Sequence, residues 1–246
     1  MEWKENLGVF MQTHEHYAVS KDPQLKNSVR KYIKDKVVSF RKTKEAFGEL
    51  SNMSAGFTLR VNDVKILTSE ALYQACRFPH LPEVQKEIIE QKSPMAAKMK
   101  SKPYRKDSRS DWDDVRIEIM QWALRVKLAQ NFLQFGLILE KTYPKAIVED
   151  SRKDKFWGAV VDKKDDNLLI GVNALGRLLM DLREKYISDQ KYNLLYVEPL
   201  NIPDFKLFGK PIEVIDERNN LITELKNKMK IPYQNTNDKN NLTNLK

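Results

Sequence analysis

The chain contains one cysteine, Cys76, and three histidines, His14, His16 and His80, among 246 residues. A single thiol cannot form an internal disulfide, which fits a reducing compartment, and without a second cysteine no zinc constellation can be assembled. His14 and His16 are two apart and share no helix face, so they read as a solvated loop and no metal is expected. No apolar run approaches the ~20 residues that a membrane span needs. The first ten residues carry Glu2, Lys4 and Glu5 where a secretion signal would be apolar. The expectation is a cytoplasmic protein without membrane contact. Glycine is also scarce, with eight in the whole chain, and long stretches have helical periodicity, so a mainly α fold is predicted. There is no G-x-G-x-x-G. "GVNALGRL" (171–178) has the outline of a phosphate loop, but Arg177 stands where the Walker lysine belongs and Leu178 where the magnesium-binding Ser/Thr belongs. That departure argues against a nucleotide triphosphatase, and no cofactor is expected.

What the chain does have is positive charge: a formal net +9 and a pI near 9.3, which suits a polyanionic partner. The excess concentrates between Lys92 and Arg109, where seven basic residues face one acid, Asp107. Lys98, Lys100, Lys102 and Arg105 belong to this run, and Tyr104 and Trp112 lie in or beside it. Basic groups interleaved with aromatics suit phosphate contact plus base stacking, while a solvated basic loop explains the same residues equally well.

Along the chain, "VVSFR" (37–41) reads as a strand and "FTLRVNDVKIL" (57–67) as a hairpin turning at Asn62-Asp63. "TSEALYQACRF" (68–78) reads as a short helix capped by Thr68 or Ser69 and closed by Pro79. Pro82 and Pro94 each suit a first helical turn, the latter after Ser93 as cap. A long helix follows, capped by Ser110 or Asp111, with Val115, Ile119, Trp122, Val126 and Ala129 as its core stripe. Another runs around Phe132 to Lys141, and the last strong one starts at Asn173 as cap. The predicted division is a polar leader over 1–36, a main domain over 37–186, and an extension of short strands over 187–233. A disordered tail covers 234–246, where five of thirteen residues are asparagine.

Two segments carry candidate chemistry. In "TSEALYQACRF", Glu70, Gln74 and Arg77 recur at i, i+4 and i+7. Such a stripe is ordinarily a solvated face, yet Ala71, Leu72, Ala75, Cys76 and Phe78 leave the helix little other polar surface, which implies burial. In "DKFWGAVVD", Asp154 and Trp157 sit three apart in a loop that ends at Gly158. An indole beside a carboxylate can grip a flat ring or a ribose.

Together "FRKTKEAFGELSN" (40–52), "SEALYQACRF" (69–78), "DKFWG" (154–158) and "GVNALGRLLMDLR" (171–183) resemble, in order and spacing, the NADAR or YbiA-like family. The resemblance covers about Val37 to Tyr186. It implies a mainly α (α+β), multihelical fold with a small β-hairpin or short sheet, and cleavage of N-glycosidic bonds. Some members of the family remove ADP-ribose from guanine in nucleic acid and act as antitoxins to DarT-type ADP-ribosyltransferases. The YbiA branch is associated with N-glycoside intermediates of riboflavin biosynthesis. The basic run makes this chain look closer to the antitoxin-like branch. The resemblance then implies ADP-ribosylated guanine in DNA or RNA as substrate and a cognate ADP-ribosyltransferase toxin as partner.

Carried over residue by residue, Glu70 matches the family's acid and Gln74 its glutamine, suited to orienting a ribose. Arg77 stands where lysine is common. A carboxylate near a helix N-terminus is favoured as the anion by the macrodipole, which places negative charge where an anomeric carbon turns positive. Lys42 matches the lysine of the family's F-x-K start, with Lys44 close enough to compete. A desolvated amine there could exchange onto ring-opened ribose as a Schiff base, and direct attack by water assisted by Glu70 is the alternative route. Asn52, Trp112, Asp154, Trp157, Gly158 and Asn173 complete the predicted pocket for diphosphate, ribose and base.

Overall fold

The computed structural model describes residues 28–189 and 192–223. His14, His16 and the predicted tail over 234–246 lie outside the described residues, as does most of the predicted leader. The part of that leader that is described is ordered: β1 (Arg30–Ile33) joins a three-stranded antiparallel sheet, pairing with β7 (Leu168–Gly171). The other edge of β7 pairs with β6 (Val160–Val161). β2 (Val38–Phe40) pairs in parallel with β5 (Ile147–Glu149). β3 (Leu59–Val61) and β4 (Val64–Ile66) form the predicted hairpin. Asn62 and Asp63 both take positive φ, 47° and 62°, the geometry whose twist matches a two-residue hairpin.

The helices begin where the capping chemistry places them. Thr68 Oγ1 accepts from the Ala71 N–H at 3.3 Å and opens α1 (Ser69–Ala75). Pro82 opens α2 (Pro82–Ile89), and Ser93 Oγ accepts from Ala96 N–H at 3.1 Å to open α3 (Pro94–Ser101). α4 (Trp112–Gln130) starts after Asp111, whose carboxylate does not cap it but pairs with Arg109. The predicted stripe of α4 is buried, and Ile117, Met120, Ala123, Leu124 and Leu128 join it, so the helix is enclosed on most sides. α5 (Phe132–Glu140) and α6 (Ala174–Ser188) pack on it and on each other, and α6 also packs on β5.

The segment beyond 187 does not form a separate layer. β8 (Tyr196–Val197), β9 (Lys206–Leu207), β10 (Lys210–Pro211) and β11 (Ile215–Asp216) are short, and Leu195, Val197, Phe205, Leu207 and Ile215 enter the main core. Trp122 is core, as expected: its ring meets Phe205 edge-on at 4.8 Å and its N–H donates to Glu198 O at 3.0 Å. The architecture is therefore a helical core carrying several small sheets, a mixed α/β arrangement in which helices supply most of the regular structure. No helix of the described residues is long and apolar enough to cross a membrane.

Candidate active site

The stripe on α1 faces inward. Glu70 and Gln74 are 5% and 4% exposed, so the solvated-face reading fails for them. Gln74 Nε2 donates to Glu70 Oε1 at 2.9 Å, and Ser101 Oγ on α3 donates to Gln74 Oε1 at 2.9 Å. The amide is thus held in one orientation and presents its donor end to the carboxylate. Lys98 Nζ lies 3.9 Å from the same Glu70 oxygen. Arg77, one turn on, stacks over Trp112 with its guanidinium carbon 4.3 Å from the ring centroid. Its Nε is buried without a hydrogen-bond partner. Burial, then the neighbouring Arg105 and Arg116 charges, lowers the pKa of this guanidinium, with Tyr73 acting in the opposite sense.

The loop before α1 is clamped from two sides. Asn52 O accepts from Glu70 N–H at 3.1 Å and Ser69 Oγ reaches Asn52 at 3.3 Å. Behind it, Lys127 of α4 is wholly buried and donates to Glu49 O at 2.7 Å and Ser51 O at 3.2 Å. The ammonium also lies 4.5 Å and 4.1 Å from the ring centroids of Phe57 and Phe135. Burial pushes its pKa down to about 7, against the attraction of Glu49.

Glu70, Gln74, Arg77 and Lys98 line a cavity of about 510 Å³ together with Asn52, Trp112, Asp154, Trp157 and Glu149. Its aromatic wall is continuous: Tyr73 meets Trp112 at 5.1 Å and Trp157 at 5.7 Å, and Trp157 meets Phe156 at 5.1 Å. Burial, reinforced by the Glu70 charge, raises the Tyr73 phenol well above its usual range, so it stays neutral. Lys98, Arg105 and Arg116 join Arg77 around the cavity, Arg116 resting 4.1 Å over Phe156.

Asp154 and Trp157 belong to one folded loop. Asp154 N–H donates to Ser151 Oγ at 3.0 Å, and Asp154 Oδ1 accepts from the Phe156 and Trp157 N–H groups, both at 2.9 Å. The loop carbonyls of Phe156 and Trp157 then accept from Ala174 and Leu175 N–H at 2.9 and 3.0 Å, capping α6. The first-turn amides of "GVNALGRL" are therefore consumed by protein carbonyls, which removes the phosphate-loop likeness. Its glycines serve close approach instead: a Cβ on Gly176 would lie 2.2 Å from Ile147 O.

Three predicted site residues sit elsewhere. Asn173 occupies the N-cap position but with left-handed φ 53°, and its side chain does not cap. It is fully buried, accepting from Glu149 N–H at 3.1 Å and donating to Ile147 O at 2.8 Å. Gly158 lies behind the cavity, where a Cβ would meet Glu149 O at 2.5 Å. Lys42 is the larger correction. Its side chain is 66% exposed, pairs with Glu45 at 2.8 Å, and does not line the cavity. The desolvation that would make it a nucleophile is missing, because the turn after β2 carries it to the surface. Of the basic run, Lys98 and Arg105 reach the cavity; Lys100 pairs with Glu87 at 3.1 Å, and Lys102 is an exposed side chain away from the lining.

Glu149 is the group that sequence reasoning missed. Burial pushes its pKa up to about 7, with the Asp154 and Glu70 charges adding to the rise and Lys98 opposing it. Its one signal in the sequence was the alternation of "IVE", which puts Glu149 on the same side of the strand as buried Ile147.

A family model described as the NADAR domain matches residues 39–186. The N-glycosidase YbiA of Escherichia coli (strain K12) is 32% identical over 158 residues, spanning 64% of this chain and 92% of that protein. The riboflavin biosynthesis protein VVA0006 of Vibrio vulnificus (strain YJ016) is 30% identical over 186 residues, spanning 74% of this chain and 48% of the relative. The NMR structure of the E. coli protein YbiA superposes with a TM-score of 0.52 at 30% identity, covering 63% of this chain and 88% of that one.

Proposed function

This chain belongs to the NADAR domain family, and from that premise we propose that it removes ADP-ribose from guanine in nucleic acid. The coarser statement is firm: it is a hydrolase of the N-glycosidase type. The observation that carries the finer one is the cationic rim. Lys98, Arg77, Arg105 and Arg116 surround one cavity whose wall is aromatic and whose floor holds Glu70. Guanidinium groups recognise phosphate oxygens in a fork geometry, so a diphosphate suits this rim, while Tyr73, Trp112 and Trp157 offer faces to a base or ribose. The volume of about 510 Å³ falls in the range of small-molecule sites, ~300–1,000 Å³.

Glu70 then supplies the negative charge that an oxocarbenium-like state requires, and a base for water on the ribose carbon. Gln74, pinned by Ser101, keeps that carboxylate in place. In this reading the chain reverses a DarT-type ADP-ribosyltransferase and so acts as its antitoxin, with ADP-ribosylated DNA or RNA as the carrier. The test is incubation with an oligonucleotide bearing one ADP-ribosyl guanine, reading released ADP-ribose by mass. Release that disappears in Glu70→Gln is the expected result; an intact oligonucleotide overturns the reading.

The relatives named for riboflavin biosynthesis favour a second reading, cleavage of a phosphorylated N-glycoside in that route. It needs a single phosphate site and no nucleic-acid surface, so turnover of the small glycoside alone would select it.

A further inference from the structure

Resting on the N-glycosidase reading, we infer that Glu149 is the acid that protonates the departing nitrogen while Glu70 receives the proton of the attacking water. The placement follows from the strand. Val148 points into the small cluster of Tyr32, Ala159 and Leu169, so Ile147 and Glu149 share the opposite face, toward the helices and the cavity. The backbone of Glu149 is fixed on both sides: its N–H is held by Asn173 Oδ1 at 3.1 Å, and its carbonyl accepts from Ala159 N–H at 2.8 Å. Its carboxyl group makes no hydrogen bond or ion pair among the described residues, so both oxygens are free for a ligand.

The two carboxyl groups have opposite surroundings. Glu70 accepts from Gln74 Nε2 at 2.9 Å and faces Lys98 Nζ at 3.9 Å. Glu149 is flanked by the negative charges of Asp154 from the loop and Glu70 from α1, with Lys98 of α3 the one cation that eases it. Arg116 and Asp113 of α4 line the same cavity. Two carboxyl groups in such different surroundings, one hydrogen-bonded and facing a cation, the other without a partner and beside two anions, suit a division into base and acid. Asp154 is less suited, because it is exposed and one oxygen already holds two loop N–H groups.

The step balances without any other reactant. As the anomeric C–N bond breaks, its electron pair goes to nitrogen, which takes the proton of Glu149. A water oxygen forms the new C–O bond and yields one proton to Glu70. The products are the free amine and the hemiacetal. One proton passing from Glu70 to Glu149, directly or through solvent, restores the starting state.

An acid must be protonated to act, so the wild-type rate should fall about tenfold per pH unit above about 7. The experiment measures kcat/KM from pH 5.5 to 9 for the wild type, Glu149→Gln and Glu149→Asp, and ADP-ribose binding by calorimetry. The substrate is ADP-ribosyl guanosine or, if that is inert, a simple phosphoribosyl N-glycoside. Glu149→Gln should lose roughly 100-fold at pH 6 and the alkaline fall with it, while binding ADP-ribose within threefold. Glu149→Asp should keep the fall at a reduced rate, which excludes a merely structural role. Retention of the wild-type rate or of the alkaline fall by Glu149→Gln overturns the inference, as does loss of both ADP-ribose binding and the fold in both variants. If ADP-ribosyl guanosine is inert but the smaller glycoside is cleaved, the substrate assignment fails and the Glu149 test proceeds unchanged.

Discussion

Replacing Lys127 by methionine should change how stability depends on pH. Lys127 has no solvent contact, and its pKa in the fold is about 7 against 10.5 for the free side chain. The sign follows from proton counting. Below pH 7 both folded and unfolded chains carry the proton, and the fold bears the full cost of burying the charge. Between 7 and 10.5 the unfolded chain keeps the proton that the folded one has released, so stability rises with pH across that window. At about 1.4 kcal/mol per pKa unit, the gap corresponds to on the order of 5 kcal/mol over the whole window. The neutral amine still has two N–H donors for Glu49 O and Ser51 O, so the clamp survives deprotonation. Lys127→Met removes both donors; Ser51 O keeps the Ser54 N–H at 3.1 Å, Glu49 O loses its Lys127 partner at a cost of about 1–3 kcal/mol, and the variant's stability should lack that rise. Urea unfolding of both proteins at pH 6.5 and pH 9 isolates the effect, since every other group cancels in the difference. Somewhat more than half of the window lies in that interval, so the wild type should gain roughly 2.5 kcal/mol relative to the variant. A difference that stays flat, or falls with pH, refutes the account of Lys127.

Gly176→Ala should destabilise by about 3 kcal/mol or more, because a Cβ would sit 2.2 Å from the Ile147 carbonyl, which is backbone and cannot swing aside; an unchanged melting temperature would contradict the packing of α6 on β5. Lys42→Ala should turn over within threefold of the wild type, and borohydride should trap no adduct on the peptide bearing Lys42, since that amine is exposed and paired with Glu45. A loss of orders of magnitude, or a trapped adduct, would restore the Schiff-base route. Arg105→Ala should raise KM several-fold and shrink the salt dependence of DNA binding, to which each phosphate contact contributes a log–log slope of roughly −0.9 on duplex. Lys102→Ala should leave KM for ADP-ribosyl guanosine unchanged, because Lys102 does not line the cavity.

Much of the fold could be read locally because its signals are local. Thr68, Ser93, Pro82 and Pro94 act within one turn of themselves, and Asn62-Asp63 within one hairpin. Glu70, Gln74 and Trp157 were found because their spacing within short segments carries meaning. The misreadings involve residues whose roles are set by distant partners. Asn173 looks like a helix cap, and only the strand at Ile147–Glu149 shows why its side chain turns away. Lys127 carries no local signal, because its partners, the carbonyls of Glu49 and Ser51, come from a distant loop. Glu149 is one acid among many until the fold sets Glu70 and Asp154 around it. Residues 30–33 read as polar leader because a strand at the edge of a small sheet needs little apolar sequence.

The loop that caps α6 has a consequence for how such a protein can change. Trp157 stands on a loop whose carbonyls hold the first turn of α6, and the residue that begins that helix, Asn173, holds the backbone of Glu149. The aromatic wall and the carboxyl group behind it are therefore two ends of one knot, and a substitution that loosens either end shifts the other. Inherited variation in ligand preference should accumulate on the opposite bank, at Arg77, Lys98 and Arg105, where side chains project from the turn just after α1 and from the segment around α3 without tying strands together. A paralogue that had moved from one N-glycoside to another would then keep its loop and α6 start nearly intact and differ along that rim.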